Sequence, residues 1–314
     1  MKMCLSCGSL FENRIWRCPN CLWEPEYAGG FALLGVNHAD RPDQEGFMPE
    51  YFRELEILES GHFWFTARNR LIRWAVSRYF PLARSFLDLG CGTGDLLAEI
   101  EMYRPRIIPY GADFYVEALI VASRKLKRSE LFQADIRTIP FRNEFDLIGL
   151  FDVLEHIDED EAVLREANKA LAPGGGILVT VPQHPALWSC QDEYGCHLRR
   201  YRAHEIRSKL KKTGFRIIFE TSFVSLLLPA MALNRLFNGL KKKKKCDPMA
   251  ELKIPSILNR VFARIMFMEL LLIERGISFP AGGSLIFAAV KDDALGKSPA
   301  AVTPAKAGVQ NILK

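Results

Sequence analysis

Short apolar runs along the chain alternate with stretches in which apolar residues recur every three or four positions. The runs predict strands at 85–89, 106–113, about 130–134, 145–151, 176–182 and 214–220, with a last strand, "SLIFAAV", beginning at Ser284. Helical periodicity between them predicts helices near 95–103, 115–128, 157–171 and 203–213. Strands alternating with crossover helices pack as an α/β, doubly wound, mostly parallel sheet. Such sheets bind ligands at the carboxyl ends of their strands, so the loops there are the places to look for chemistry. An aromatic-rich helical stretch over 48–80 precedes the first strand and stops at Pro81. In "LAPGGG", Gly174 to Gly176 are expected to cap the third crossover helix and turn the chain into the next strand.

The chain ends read differently. "CLSC" and "CPNC" give C-x2-C-x10-C-x2-C across Cys4, Cys7, Cys18 and Cys21, a spacing suited to a tetrahedral thiolate site. Residues 1–25 are therefore expected to fold as a zinc ribbon. Four protein ligands leave the ion no open position, so the zinc would be structural. Two disulfides or a redox pair are the alternatives, and a reducing compartment disfavours them. Residues 26–47, rich in Gly, Pro, Asp and Asn, read as a linker, and 293–314 as a disordered tail. The chain has 314 residues and a net charge of +5, much of it in one run, Lys241 to Lys245. The positive charge is thus local, which argues against a general nucleic-acid footprint. The first ten residues lack the apolar core of a signal peptide, and the apolar runs fall short of the ~20 residues of a spanning helix. A cytoplasmic protein is expected.

"FLDLGCGTGDLL", residues 86–97, places a glycine-rich turn directly after the first predicted strand. Its glycines are Gly90, Gly92 and Gly94, and Asp95 stands where a dinucleotide fingerprint needs its third glycine. No Lys-Ser or Lys-Thr follows, which removes the phosphate loop as well. Asp88 would repel a pyrophosphate but would suit a ligand with an ammonium group. Asp113 ends the second strand, where a carboxylate can accept from both ribose hydroxyls.

"DLGCGTG", "YGADF", "QADIRTIPF", "VLEHI" and "LAPGGGILVTVP" together resemble the motifs of class I S-adenosylmethionine-dependent methyltransferases over roughly residues 60–220. The resemblance implies a Rossmann-like, seven-stranded sheet with its last strand antiparallel, spanning 48–292, and S-adenosyl-L-methionine as cofactor. It gives Asp135 the adenine amino group and Ile136 and Phe114 the adenine faces, counts Phe151 among the cofactor-binding residues, and lets Arg68 or Trp64 close the pocket against the cofactor's carboxylate or aromatic face. Solvated turn residues are the alternative for the aspartates. The motifs of base-amino and RNA cytosine methyltransferases are missing, since "FDVLEHI" and "VPQHP" stand in their places.

The acceptor is less legible. Asp152, Glu155 and His156 share one face if a helix has begun there. A similar arrangement accompanies a divalent metal in ubiquinone-biosynthesis O-methyltransferases, although many relatives carry "LEH" without one. "DEYGCHLRRY" resembles a subgroup signature that includes Asp192, Glu193, His197, Arg199, Arg200 and Tyr201. It makes His197 a candidate general base, beside His156, and Arg199 or Arg200 an anion clamp; a salt-bridged lid without chemistry is the alternative. About sixty residues separate the last two strands, an insertion over about 221–282 with apolar helices flanking the lysine run. It would wall a lipid-like or small-molecule acceptor pocket, lie on an anionic membrane surface, or simply pack on the sheet. The favoured expectation is methyl transfer to such an acceptor at oxygen. A recruitment protein with an inactive domain, or an RNA methyltransferase guided by the ribbon, are the alternatives.

Overall fold

The computed structural model describes residues 1–13, 15–35, 49–240 and 254–292. The chain opens with an antiparallel pair, β1 (Lys2–Met3) and β2 (Leu10–Phe11), followed by β3 (Tyr27–Ala28) and β4 (Phe31–Leu33). Helices α1 (Pro49–Glu59) and α2 (Phe63–Tyr79) lead into β5 (Ser85–Leu89), α3 (Asp95–Tyr103), β6 (Ile108–Asp113), α4 (Val116–Ser123) and β7 (Glu130–Gln133). Then come β8 (Phe145–Phe151), α5 (Asp160–Ala170), β9 (Leu171–Pro182), α6 (Cys190–Tyr194), α7 (Ala203–Lys212) and β10 (Phe215–Phe223). Helices α8 (Leu228–Leu240) and α9 (Ser256–Glu274) precede the final strand, β11 (Ser284–Lys291).

The large sheet runs β10-β11-β9-β8-β5-β6-β7-β4-β3. Strands β9, β8, β5, β6, β7 and β4 run parallel to one another, β3 is antiparallel to β4, and β11 is antiparallel to both β9 and β10. Seven of these strands form the expected Rossmann-like sheet. Phe86, Leu87 and Leu89 of β5 are fully enclosed, as befits a central parallel strand covered on both faces. The winding reverses at β5, which has β6 on one side and β8 on the other. A ligand crevice opens at such a switch point, and the glycine loop follows β5 directly.

Several boundaries differ from expectation. The stretch read as a linker begins as sheet: β4 pairs in parallel with β7, and Leu34 N–H donates to the Gln133 carbonyl at 2.8 Å. Burial of Ala32 and Leu34 explains why so short a segment holds its place. Residues 36–47 of that stretch, the lysine run and the tail from 293 lie outside the described residues. Nor do the first 25 residues keep a core of their own. Cys4, Phe11, Trp16 and Cys18 join the hydrophobic cluster that covers one face of the sheet, and Trp16 meets Phe141 edge-on at 5.4 Å. "LAPGGG" makes a bulge within β9 instead of a helix cap, because Leu171 already pairs with Phe145 and Gly174 takes φ +73°. Within the insertion, α9 packs on α2 through Phe262 against Phe63, and the Asn259 side chain accepts from Phe63 N–H and donates to the Gly61 carbonyl, both at 2.8 Å.

Candidate active site

Backbone geometry explains the glycines of the loop after β5. Gly90, Gly92 and Gly94 have φ of +79°, +53° and +74°, a region that side chains with a Cβ avoid. At Gly90 a Cβ would stand 2.5 Å from the Val153 side chain, and at Gly94 2.8 Å from Ala122, so both are also sites of close approach. At Gly92 a Cβ would meet nothing within 4 Å: the loop's middle faces open space. Its N–H donates to Asp113 Oδ2 at 2.8 Å, while Tyr115 N–H holds the other oxygen at 2.9 Å.

Two carboxylates lie beneath this loop. Asp88 is buried and its Oδ1 has no hydrogen-bond partner. Burial pushes its carboxyl up to about 7; Arg68 pulls it back and Asp113 adds to the rise. Asp113 is pushed by burial to about 6 despite the backbone donors at Tyr115 and Gly92. An acid held partly neutral with an unused acceptor oxygen is ready for a cationic ligand.

The remaining expected cofactor residues line the neighbouring strand ends. Ile136 is buried and Phe114 half-buried beyond β7 and β6. Asp135 is buried but already gripped by Arg137, whose Nε and Nη2 lie 2.9 and 2.6 Å from its two oxygens. Phe151 is enclosed under Gly149, where a Cβ would clash with its ring, so its side chain packs the core. Arg68 reaches across from α2, donates to the Phe151 carbonyl at 3.2 Å and ion-pairs with Asp152 at 2.7 Å. Asp152 is left out of the group of ligand-type atoms that Glu155, His156 and His197 form, although its charge still acts on Glu155 and its backbone bonds to His156. Asp152 has φ +57°, and only a single 3₁₀ turn, Leu154–His156, follows it, so the shared helical face does not form.

A second polar group lies beyond β8. His156 and His197 meet edge-to-face with centroids 4.7 Å apart. His197 Nδ1 is 3.0 Å from Asp192 Oδ1, which leaves its Nε2 available to take a proton or to ligate. Asp192 is buried, but hydrogen bonds from His197 and Arg200 hold its carboxyl down at about 2. Burial, reinforced by His197, pushes His156 down to about 4, so it is neutral near pH 7. Neither arginine of the loop stands as an anion clamp. Arg200 Nε donates to Asp192 at 2.7 Å, and Arg199 is paired with Asp158 and Asp160. Tyr201, fully buried, donates through its hydroxyl to Asp160 at 2.8 Å, so much of the signature fixes the lid.

A family described as "Methyltransferase domain" matches residues 60–219. The chain belongs to the methyltransferase domain family. Its sheet and glycine loop are those of the class I S-adenosylmethionine-dependent enzymes. Human EEF1A lysine methyltransferase 2 is 28% identical over 184 residues, 48% of this chain and 77% of that protein. Demethylmenaquinone methyltransferase of Lactococcus lactis is 33% identical over 110 residues, covering 33% of this chain and 44% of its own length. Haemonchus contortus phosphoethanolamine N-methyltransferase 2, solved with S-adenosyl-L-methionine, superposes with a TM-score of 0.53 at 20% identity over 82% of this chain and 60% of its own. The chain thus spans under two thirds of the latter two.

One residue at the glycine loop carries no sequence signal. Glu59, at the end of α1, accepts from the Thr93 hydroxyl in the glycine loop, and burial pushes its carboxyl up to about 7. The sulfurs of Cys4, Cys7, Cys18 and Cys21 lie within 4.8 Å of one another, with Cys4 and Cys21 3.5 Å apart and Cys7 and Cys18 3.7 Å apart. Thiolates ~2.3 Å from a shared zinc stand about 3.8 Å apart, so this donor set fits that ion.

Proposed function

We propose that the protein transfers the methyl group of S-adenosylmethionine to an oxygen of a small-molecule or lipid-like acceptor. The observation that carries this reading is the adjacency of two unlike groups at neighbouring strand ends: Asp88 and Asp113 under an open glycine loop, and the His156–His197 pair beyond β8. Asp88 receives the ammonium end of the cofactor and Asp113 its ribose hydroxyls. Ile136 and Phe114 take the adenine faces, Asp135 in the grip of Arg137 takes its amino group, and Arg68 and Phe151 bound the methionyl side. His156 and His197 carry the removal of the acceptor's proton. Methyl transfer from a sulfonium needs mainly alignment, so the rest of the catalysis is positioning.

Zinc at Cys4, Cys7, Cys18 and Cys21 serves as a structural ion. Among the described residues no helix is long and apolar enough to cross a membrane. A cytoplasmic enzyme touching the membrane surface is supported by α9, where Ile257, Leu258, Val261 and Met268 are exposed beside the basic Arg260 and Arg264. Co-sedimentation with anionic vesicles, lost when the lysines at 241–245 are replaced, is the expected result; equal binding to neutral vesicles would refute it.

The deciding experiment is incorporation of a tritiated methyl group into a total extract separated into metabolites, lipids, protein and RNA. Label in the metabolite or lipid fraction, absent with Asp88→Ala, is expected. The human relative, named for a protein lysine acceptor, supports a second reading in which the label enters protein. Label confined to RNA, or no S-adenosylhomocysteine binding by calorimetry, would sink the proposal.

A further inference from the structure

The lid and the end of β8 enclose a cluster whose hydrogen bonding is incomplete. Glu155 is wholly inaccessible to solvent, yet neither of its carboxylate oxygens has a hydrogen-bond partner. A charge without a partner in such a place is costly, and its counterpart should be sought within reach. Ligand-type atoms of His156 and His197 are there: one carboxylate oxygen and a nitrogen from each ring all lie within 4.8 Å of one another. Arg68 and Arg200 act on Glu155 through their charge alone, because the first is bonded to Asp152 and the Phe151 carbonyl and the second to Asp192 and the Gln183 carbonyl.

Both rings are anchored from outside. His197 is held through Nδ1 by Asp192, which is itself fixed by Arg200 and by the Ser189 N–H at 2.8 Å. His156 is hydrogen-bonded to the backbone of Cys196, Gly195 and Asp152. A ring tied through one nitrogen to a carboxylate or a carbonyl presents the other in a fixed direction, which is how metal-ligating histidines are supported. We propose that Glu155, His156 and His197 bind a divalent transition-metal cation. The set differs from the Asp152, Glu155 and His156 grouping suggested by spacing: the third ligand comes from the lid, 41 residues after His156, and Asp152 is excluded by its ion pair.

Two nitrogens and one carboxylate oxygen suit zinc, iron, manganese or cobalt over magnesium or calcium, which favour oxygen-only shells. Two ligands about 2.1 Å from one ion stand at most about 4.2 Å apart, so the cluster needs a closure of some tenths of an ångström. Three protein ligands would leave coordination positions open, and an ion held there would make a bound acceptor hydroxyl more acidic. The inference deepens the proposed function in that one respect, since it gives the two histidines a way to promote proton loss from an acceptor oxygen. Cation binding itself is read separately from methyl transfer.

The test is metal stoichiometry of the full chain, by plasma mass spectrometry after exposure to zinc and removal of the excess, with a parallel cobalt-substituted sample. Two equivalents per chain are expected, falling to one in Glu155→Gln and in His197→Gln. In the cobalt form, weak visible bands of the nitrogen and oxygen site should vanish in both variants, while the intense thiolate charge-transfer bands of the ribbon persist. The persisting bands report that each variant has folded. A wild-type chain that binds S-adenosylhomocysteine yet holds one equivalent overturns the cation site and leaves the proposed function standing. Two equivalents in wild type and in both variants overturn it as well.

Discussion

Replacing Asp88 with asparagine should remove most of the pH dependence of cofactor binding. In the unliganded protein burial holds this carboxyl at about 7, well above its ordinary range. A ligand ammonium that pairs with Asp88 needs the ionised form, so binding below pH 7 must release a proton. The dissociation constant then scales with one plus the ratio of neutral to ionised acid, which is about 1.1 at pH 8 and about 100 at pH 5. Asp88 alone therefore weakens binding by about two orders of magnitude across that range. Asp113, held at about 6, adds about tenfold by pH 5. The sign reverses for the unliganded fold. A carboxyl whose folded value is raised contributes stability at low pH and loses it as pH climbs from about 4 through 7, so the thermal shift produced by ligand should grow over that window. The assay is calorimetric titration of S-adenosylhomocysteine between pH 5 and 8, in buffers of different ionisation heat to count the released proton. Asp88→Asn should bind about 10- to 150-fold more weakly at pH 8, the loss of a hydrogen bond to a charged group, and keep only the shallow slope below pH 6. A wild-type constant that is flat from pH 5 to 8, or an unchanged slope in the variant, would refute the reasoning.

Other perturbations follow from the same geometry. Gly90→Ala should cost cofactor affinity and stability, about 1–2 kcal/mol for the left-handed backbone alone, and adding Val153→Ala should return the part due to the clash, as denaturation midpoints would record. Tyr201→Phe removes a buried hydroxyl that donates to Asp160 and to the Leu154 carbonyl; a loss of about 1–3 kcal/mol is expected in urea unfolding. With zinc loaded at Cys4, Cys7, Cys18 and Cys21 as proposed, chelation should expose Trp16, now wedged against Phe11 and Phe141, giving a red-shifted emission that Trp16→Phe abolishes.

How much of this was legible in the sequence depends on range. The apolar run of β5 and the positive-φ glycines after it leave a local signature, so the loop, Asp88 and Asp113 were readable from spacing. The Cys4 spacing was equally local. What failed involved partners far along the chain. Asp152 looked like a member of a helical face, but its φ of +57° and its partner Arg68, 84 residues earlier, redirect it. For Arg199 and Arg200 an anion clamp and a salt-bridged lid read alike, because their partners Asp158, Asp160 and Asp192 are chosen by the folded lid. The expected linker hid β4, whose three residues are too few to show a period; only β7, a hundred residues later, makes them a strand.

The pairing of β4 with β7 has a consequence for how copies of the chain meet. An uncovered β7 would offer unsatisfied N–H and C=O groups from Glu130 to Gln133, a template for any extended segment of a second molecule. The N-terminal segment occupies that template with a strand too short to serve as a new one, and β3 finishes it with two residues. A chain starting after residue 35 should therefore self-associate through this face, and the cysteine-bearing segment acts as a stopper against fibrous growth as much as it acts as a fold.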